Sequence, residues 1–257
     1  MKNQQPKKRL KLTAIDPAFI GKVNETDAAL QLKKLRKQMS KFQERLYANH
    51  SRSLLIVLQG IDASGKDGTI KSVMTGINPL GCQVHAFKAP VGNEVDHDYL
   101  WRIHQVLPPK GFIGIFNRSH YEDILVPSVH RLKEKDVLNR RFNHINDFER
   151  MLSDEGTKIL KFFLHISKDE QRRRLNDRLT DPDKNWKYSK KDLIERRSWN
   201  AYQDVYESIL SRCSTKWAPW TIVPADNKWY RNLVIATEIV NTLRELKQKF
   251  PVFDPAY

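Results

Sequence analysis

A short apolar run that leads directly into a glycine-rich turn is the feature that most restricts how this chain can fold. Residues 54–58 read Leu-Leu-Ile-Val-Leu, and Gly60-Ile61-Asp62-Ala63-Ser64-Gly65-Lys66 begins two positions later. The spacing G-x-x-x-x-G-K, placed after a strand and before a helix, is typical of a loop whose backbone N–H groups surround a phosphate. The pattern therefore predicts a phosphate-binding loop, whose members are Gly60, Ala63, Ser64, Gly65, Lys66, Asp67 and Gly68.

Short β-branched or aromatic runs recur along the chain, with helix-length segments between them. The five runs span residues 54–59, 83–88, 112–117, 159–165 and 221–223. Strands separated in this way pair in parallel through crossover helices. The sequence therefore predicts an α/β fold, with a five-stranded parallel, doubly wound sheet flanked by helices. Apolar residues at helical spacing predict one further amphipathic helix over about 27–50.

Composition divides the chain into regions. Residues 1–28 mix Lys, Pro, Gly and Asp with little periodicity, so we expect a basic N-terminal arm. Residues 29–257 are expected to form a single domain, because a chain of 257 residues with 40% hydrophobic content can bury one sizeable core. The charged segment 168–212 reads as two helices joined by a loop. Standing alone it would be a solvated helix pair, but beside a phosphate site a mobile lid is the preferred interpretation.

The charge of the chain favours anionic partners. There are 45 Lys and Arg against 30 Asp and Glu, which gives a formal net charge of +15. Such a surface attracts phosphate-rich molecules generally, without identifying one.

Two further absences in the sequence bear on its location. The two cysteines, Cys82 and Cys213, are far apart, which predicts neither a disulfide framework nor a cysteine-based metal site. No stretch approaches 18 apolar residues, and the basic residues 1–12 lack the apolar core of a signal peptide. We therefore expect a cytoplasmic protein without a membrane partner.

The residue after the loop lysine departs from the usual pattern. A Ser or Thr there ordinarily holds Mg²⁺ through its hydroxyl, and this chain has Asp67 instead. Another oxygen must then hold the cation. Asp62 is the candidate, because its carboxylate would face the phosphate and repel it unless a cation lay between them.

A second polar cluster follows the third predicted strand. Residues 117–123 read Asn-Arg-Ser-His-Tyr-Glu-Asp, and open α/β sheets place ligands at the carboxyl ends of their strands. We expect Arg118 to donate to phosphate oxygens there, and Glu122 and Asp123 to reach a metal or a nucleotide. The alternative is an ordinary helix start capped by Asn117 or Ser119. The two interpretations are compatible.

Several motifs, taken in order, resemble the signatures of the polyphosphate kinase 2 family. They are Gly60-x-Asp62-x-x-Gly65-Lys66-x-Gly68, then Phe87-Lys88-Ala89-Pro90, then Asp96-His97-Asp98-Tyr99-Leu100-Trp101-Arg102, then Phe116-Asn117-Arg118-Ser119-His120-Tyr121-Glu122, then Asp181-Pro182-x-Lys184-x-Trp186-Lys187. The similarity runs from about residue 28 to the C-terminus. It implies a P-loop kinase fold related to thymidylate kinase, with a helical lid. It also implies reversible, Mg²⁺-dependent phosphoryl transfer from inorganic polyphosphate to AMP or ADP, giving ADP and ATP.

The resemblance further implies roles for individual residues. The positions that match catalytic ones are Asp62, Lys66, Arg118 and Arg178. Asp62 matches the Mg²⁺ ligand, with Mn²⁺ as a substitute metal. Many members have Asp where this chain has Asn117, so this chain lacks a carboxylate at that position. Asn117 and Glu122 are expected near the nucleotide, and they are secondary candidates for binding the metal. The resemblance is to the subgroup that accepts both AMP and ADP, and it implies a homo-oligomer, a dimer or a tetramer.

Polyphosphate is a polyanion without bases, so a channel of Lys and Arg is expected to hold it without aromatic stacking. The channel candidates are Lys71, Lys88, Lys184 and Lys187, any of which could instead be a solvated surface lysine. The accepting nucleotide phosphate is already ionised at neutral pH, so no strong general base is needed. His120 is then expected to donate to phosphate.

Two other functions remain open at this point. A nucleoside-monophosphate kinase that uses ATP would share the loop and the lid, but it does not need so many basic residues. A basic nucleic-acid-binding protein with a phosphate loop would explain the charge, and it predicts salt-sensitive DNA or RNA binding that Lys66→Ala leaves unchanged. The preferred prediction includes no nucleic-acid partner.

Overall fold

Five parallel strands form a single sheet in a computed structural model that describes residues 10–252. The strands are β1 (Ser53–Gln59), β2 (Cys82–Ala86), β3 (Ile113–Asn117), β4 (Thr157–His165) and β5 (Trp220–Pro224). Their spatial order is β2-β3-β1-β4-β5, and every neighbouring pair is parallel. Each strand lies within two residues of a predicted run. The predicted α/β fold with a five-stranded parallel sheet is confirmed.

Nine α-helices connect and cover the strands within the described residues. They are α1 (Glu25–Asn49), α2 (Lys66–Val73), α3 (Trp101–His104), α4 (Glu122–Val129), α5 (Lys135–Asp154), α6 (Lys168–Thr180), α7 (Lys190–Glu195), α8 (Trp199–Arg212) and α9 (Lys228–Glu245). The helix predicted over 27–50 is α1. Its first turn is capped by Asn24, whose side chain accepts from the Asp27 N–H at 2.8 Å, and it ends where His50 adopts a left-handed conformation.

The central strand β1 is buried along its whole length. On one face, Ile56 and Leu58 lie together with apolar side chains of α2 and α9. On the other face, Gln59 accepts a hydrogen bond from Tyr206 of α8 at 3.3 Å. Helices therefore cover both faces of the sheet, which explains why β1 is an unbroken apolar run rather than an alternating one.

The described part of the predicted N-terminal arm lies against the domain. Leu12 is fully buried, and its N–H donates to Glu207 of α8 at 2.9 Å. The Asp226 N–H donates to the Pro17 carbonyl at 3.1 Å. Residues 1–9, which carry most of the basic run, lie outside the described residues. The division into an arm at 1–28 and a domain at 29–257 stays a prediction.

The segment predicted as a lid contains two longer helices, α6 and α8. The connection between them is not a simple loop, because it includes the short helix α7 and two 3₁₀ turns, Asn185–Lys187 and Arg196–Ser198. The sequence interpretation omitted this helical content. Across residues 10–252, no helix has both the length and the apolar character needed to cross a membrane.

Candidate active site

A cleft of about 770 Å³ opens at the carboxyl ends of the strands. The loop after β1, residues 86–88 at the end of β2, and Asn117 and Arg118 at the end of β3 all contribute to its wall, and α6 closes one side. Parallel pairing places all these strand ends at one edge of the sheet, so segments far apart in sequence meet there.

Two glycines allow the loop after β1 to take its shape. Gly60 has φ +152°, and a Cβ there would lie 2.8 Å from Ser64 Oγ and 2.9 Å from the Leu164 carbonyl oxygen. Gly65 has φ +100°, and a Cβ there would overlap the guanidinium of Arg231. Neither site has room for a side chain, and both backbone conformations are ones that only glycine adopts easily.

Lys66 begins α2 and is almost fully buried at the base of the loop. Its Nζ donates to the Gly60 carbonyl at 2.6 Å and to the Ile61 carbonyl at 3.3 Å. Burial, reinforced by the positive charge of Arg118, lowers the pKa of Lys66 to about 8. The loop therefore holds a poorly solvated lysine ammonium against its own carbonyl oxygens.

Asp62 and Arg118 meet in this cleft, as the two sequence motifs predicted. Arg118 Nη2 donates to Asp62 Oδ1 at 2.6 Å, and both side chains are partly exposed. Arg118 adopts a left-handed backbone conformation (φ +63°), which turns the chain out of β3, and its N–H donates to the Leu58 carbonyl at 3.0 Å. The strain at this non-glycine residue is offset by the contacts that hold it.

Two buried arginines support the phosphate loop from behind. Arg174 of α6 donates to the carbonyls of Ala63 and Ser64, and also to the carbonyls of Ala225 and Asp226 beyond β5, at distances of 2.6–3.0 Å. Arg231 of α9 donates to the Ser64 carbonyl at 3.3 Å. Sequence reasoning missed both residues, since Arg174 stood in a run of three arginines with nothing to distinguish it.

The lid segment contacts the start of α2 through Asp67. Lys187 Nζ donates to Asp67 Oδ2 at 3.1 Å, and Asn117 Nδ2 donates to Oδ1 of the same carboxylate at 2.7 Å. Burial works to raise the pKa of Asp67, but these two hydrogen bonds outweigh it and hold that pKa below its ordinary value. The residue that replaces the usual Ser or Thr thus joins three segments of the cleft.

Arg178 of α6 also faces the cleft. Its Nη1 donates to Asp192 of α7 at 2.6 Å. Burial raises the pKa of Asp192, with repulsion from Asp62 adding to the effect, so these acids are close enough to interact across the cleft. The lid pair Arg178–Asp192 therefore lies opposite the loop pair Asp62–Arg118.

The structure brings together most of the residues that the sequence singled out. Those that line the cleft are Asp62, Ala63, Gly65, Lys66, Asp67, Gly68, Lys71, Lys88, Asn117, Arg118, Arg178, Lys184 and Lys187. Gly60 and Ser64 lie within the loop but not on the cleft wall; the Ser64 side chain is fully buried and its N–H donates to the Ile61 carbonyl at 3.0 Å. Lys228 was not predicted and also lines the cleft.

The prediction for His120 is corrected. The His120 ring is fully buried, and its Nε2 lies 3.2 Å from Glu149 Oε1. Glu149 is in turn held by Lys161, whose Nζ donates to it at 2.6 Å. The chain turns inward after Arg118, so His120 points into the core and cannot donate to a phosphate in the cleft.

Asn117, Ser119 and Glu122, from the same motif, also differ from what the sequence predicted. Helix α4 begins at Glu122, and neither Asn117 nor Ser119 is its N-cap residue. Glu122 does not line the cleft. Burial raises its pKa, although Arg118 and Lys66 act in the opposite direction. Its carboxylate therefore lies near both cations, but behind the cleft wall.

The oxygen atoms at the loop suit a divalent cation that is shared with substrate. Among residues 10–252, no three His, Cys, Asp or Glu side chains are grouped to hold a metal ion by themselves. Mg²⁺ keeps several water molecules and is usually bound by one or two carboxylates together with substrate phosphates. Asp62, which is partly exposed in the cleft, fits that arrangement.

Comparison with known proteins places this cleft in a family. The family model for Polyphosphate kinase 2 (PPK2) matches residues 22–251. An AMP/ADP-polyphosphate phosphotransferase of Meiothermus ruber is 49% identical, over 96% of this chain and 93% of that protein. An ADP-polyphosphate phosphotransferase of Rhodopseudomonas palustris is 42% identical, over 95% of this chain and 88% of that protein.

A solved structure from the same family has the same fold. The crystal structure of polyphosphate kinase 2 from Arthrobacter aurescens TC1 superposes with a TM-score of 0.93 at 40% identity, covering 96% of this chain and 90% of that one. Agreement in sequence and in fold extends over nearly the whole chain, including the phosphate loop and the lid. The chain belongs to the polyphosphate kinase 2 family.

Proposed function

We propose that this chain transfers phosphoryl groups between inorganic polyphosphate and the adenine nucleotides AMP and ADP. The observation that carries the proposal is the meeting of Asp62, Lys66 and Arg118 in one cleft at the strand ends. The names of the Meiothermus ruber and Rhodopseudomonas palustris relatives support the same substrates.

The charge of the cleft suits two anionic chains that must approach each other. Its lining contains nine Lys or Arg and five Asp. Phosphoryl transfer passes through a loose transition state, so the protein has mainly to position the reactants and neutralise charge on the transferred group. Lys66 and the loop N–H groups would hold one phosphate chain, and Arg118 would donate to oxygens of the transferred group.

The residues at the loop fit a divalent cation, and Asp62 would hold Mg²⁺ or Mn²⁺ together with phosphate oxygens. When bound, the cation would reduce repulsion between donor and acceptor phosphates. In the structure Asp62 bonds to Arg118. A cation on Asp62 would compete for that carboxylate and leave Arg118 free to donate to phosphate.

The lid would complete the site. Arg178, Lys184 and Lys187 line the cleft from the lid, opposite Lys71 and Lys88. We assign Arg178 to the transferred phosphate and the four lysines to the polyphosphate chain. Asn117 and Glu122 are assigned to the nucleotide end by family resemblance, with Glu122 acting from behind the wall. The cytoplasmic location and the assembly as a dimer or tetramer stay predictions.

The test is to incubate the purified protein with Mg²⁺, polyphosphate and either AMP or ADP, and to follow ADP and ATP by chromatography. Lys66→Ala should abolish turnover, whereas Lys41→Ala, on the exposed face of α1, should not. Activity with ATP and AMP that does not need polyphosphate would instead favour the nucleoside-monophosphate kinase. Salt-sensitive RNA or DNA binding that Lys66→Ala leaves unchanged, without turnover, would favour the nucleic-acid-binding alternative.

A further inference from the structure

A second cleft, nearly as large as the first, lies at the C-terminal end of α4. It has a volume of about 750 Å³ and shares no lining residue with the active cleft. The charged side chains that line this distal cleft are Lys11, Arg131, Lys133, Lys135, Asp204 and Arg212. Five cations thus face one carboxylate. No residue assigned to the proposed reaction lines this cleft.

Three of these cations lack an ion pair within the described residues. Arg131, Lys133 and Lys135 pair with no acidic side chain in the range 10–252. Glu134 and Asp136 alternate with them in sequence but do not line the cleft. Like charges held close together without counter-ions repel each other, so this cleft favours an anionic ligand.

The end of α4 fixes where Arg131 lies at the rim of the distal cleft. Arg131 follows the helix and adopts a left-handed conformation, with φ +54°. The Leu132 N–H donates to the Pro127 carbonyl at 2.9 Å, a bond that commonly accompanies a left-handed residue just after a helix. The helix end therefore holds the Arg131 backbone in place, and the residue joins the lining of the cleft.

The floor of the distal cleft argues against a ligand that carries a base. Phe142 is the aromatic residue of the lining, and it is 5% exposed. The guanidinium of Arg212 lies 3.7 Å from the centre of its ring, and Arg212 is also held by a 2.9 Å hydrogen bond to Asn139. Among the described residues that line this cleft, no aromatic face is therefore open for a base to stack on, and single-stranded nucleic acids commonly require one.

We propose that the distal cleft binds a second segment of a long polyphosphate chain. This inference rests on the proposed function, and it adds a site outside the active cleft. Polyphosphate is the polyanion that needs cations and no stacking surface. Helix α4 runs from Glu122, near Arg118, to Val129, beside the distal cleft, a length of about 12 Å at the usual rise of a helix. A chain of many phosphates is longer than this helix, so the proposal has one polymer occupy both sites.

The consequence is an anchor for long chains. A chain held in the distal cleft keeps its free end at high effective concentration near the active cleft, so apparent affinity rises without any change in the chemical step. Chain length should therefore affect KM and leave kcat alone.

The test compares two triple variants that remove the same number of charges. The distal triple variant, Arg131→Gln/Lys133→Gln/Lys135→Gln, removes three positive charges from the rim of the distal cleft. The α1 variant, Lys33→Gln/Lys34→Gln/Lys37→Gln, removes three exposed lysines that lie outside both clefts. Binding of fluorescent long-chain polyphosphate is measured without nucleotide across a salt series. KM and kcat for the same polymer are measured separately.

The distal triple variant should show a salt dependence (log Kd against log salt) that is shallower than wild type by about 2, as expected for three lost phosphate contacts. Its KM for long chains should rise roughly tenfold or more with kcat unchanged, and the α1 variant should match wild type in both. Equal losses in the two variants would overturn the proposal, since general surface charge would then explain them. A change in oligomeric state seen only in the distal triple variant would also overturn the proposal. A distal triple variant that loses RNA binding but keeps polyphosphate binding would overturn it as well.

The binding measurement needs no turnover, so it separates this inference from the proposed function. If the protein fails to phosphorylate AMP or ADP but the distal variant still loses long-chain binding, the distal site stands and the kinase assignment fails. If turnover occurs and binding is the same in all three proteins, the distal site is refuted alone.

Discussion

Arg118 Nη2 lies 2.6 Å from Asp62 Oδ1, although 56 residues separate them in the chain. The register of β1 and β3 is responsible, because Leu58 is opposite Asn117 and the two strands end side by side. The carboxylate and the guanidinium therefore neutralise each other in the cleft. This pairing is consistent with the proposal that a divalent cation binds Asp62 and that phosphate binds Arg118.

Arg118→Ala should lower kcat by about 10²–10³ if Arg118 donates to the transferred group, as proposed. Arg118→Lys should recover only part of this, since an ammonium cannot reproduce the planar fork of a guanidinium. Steady-state kinetics and a thermal melt would check both variants. Arg140→Ala, which changes an exposed arginine of α5, is the control. A kcat for Arg118→Ala within threefold of wild type would contradict the assignment.

Polyphosphate binding should weaken as pH rises through about 8, where Lys66 loses its proton in the free protein. The pKa of Lys66 is lowered from its ordinary value, so the charged form that attracts phosphate predominates below pH 8 and is lost above it. Between pH 7 and pH 9 the dissociation constant should rise by up to about tenfold if only the charged form binds. The measurement is a binding titration at constant ionic strength. Lys66→Met should not lose affinity over this pH range. If it loses as much affinity as the wild type, the pH dependence comes from other lysines.

Arg174→Ala should destabilise the protein by about 3–5 kcal/mol, because it removes a buried charge that satisfies several backbone carbonyls. Urea unfolding would measure the change. The adjacent Arg173 is the matched control, since it is 55% exposed against 7% for Arg174 and makes pairs only on the helix surface. Arg173→Ala should cost no more than about 1 kcal/mol. Equal costs would mean that the contacts of Arg174 with the loop do not stabilise it.

Arg178→Ala should reduce kcat by about 10²–10³ if Arg178 donates to the transferred phosphate. Asp192→Ala removes the acceptor of the same 2.6 Å lid contact but leaves Arg178 in place, so its kcat should fall less than about tenfold. Single-turnover kinetics would separate the chemical step from product release. Comparable losses in the two variants would show that the pair acts by shaping the lid rather than by contacting phosphate.

His120→Asn should lower stability and leave catalysis nearly intact. The substitution disturbs a fully buried group that contacts Glu149, and a lost buried hydrogen bond costs about 1–3 kcal/mol. Chemical denaturation and kcat at a temperature where the variant is folded are the two measurements. Lys66→Ala should show the opposite behaviour, with catalysis lost and the fold retained. A large fall in kcat for fully folded His120→Asn would restore the role that the structure denies it.

Sequence reasoning worked best where local pattern and chemistry coincide. The phosphate loop was predictable because its two glycines and lysine have fixed spacing next to an apolar strand, and the five strands followed from short β-branched runs. His120 was assigned wrongly because it shares a motif with Arg118. Only two positions separate Arg118, which lines the cleft, from His120, which is buried in the core. The sequence motif does not show this change in side-chain direction.

The amino-acid sequence by itself determined the parallel sheet and the phosphate loop, since each depends on periodicity or on spacing within a short stretch. It also indicated the family, through the order of several short motifs along the chain. Only the tertiary structure decided which of many similar cations matter. Arg174 and Arg231 differ from other arginines through burial under the loop, and the cations of the distal cleft are brought together by α5, α8 and the segment that follows α4. The sequence gives the charge of each side chain. The neighbours and the solvation of that side chain are determined only when the chain folds, and they decide which ligands the charge can bind.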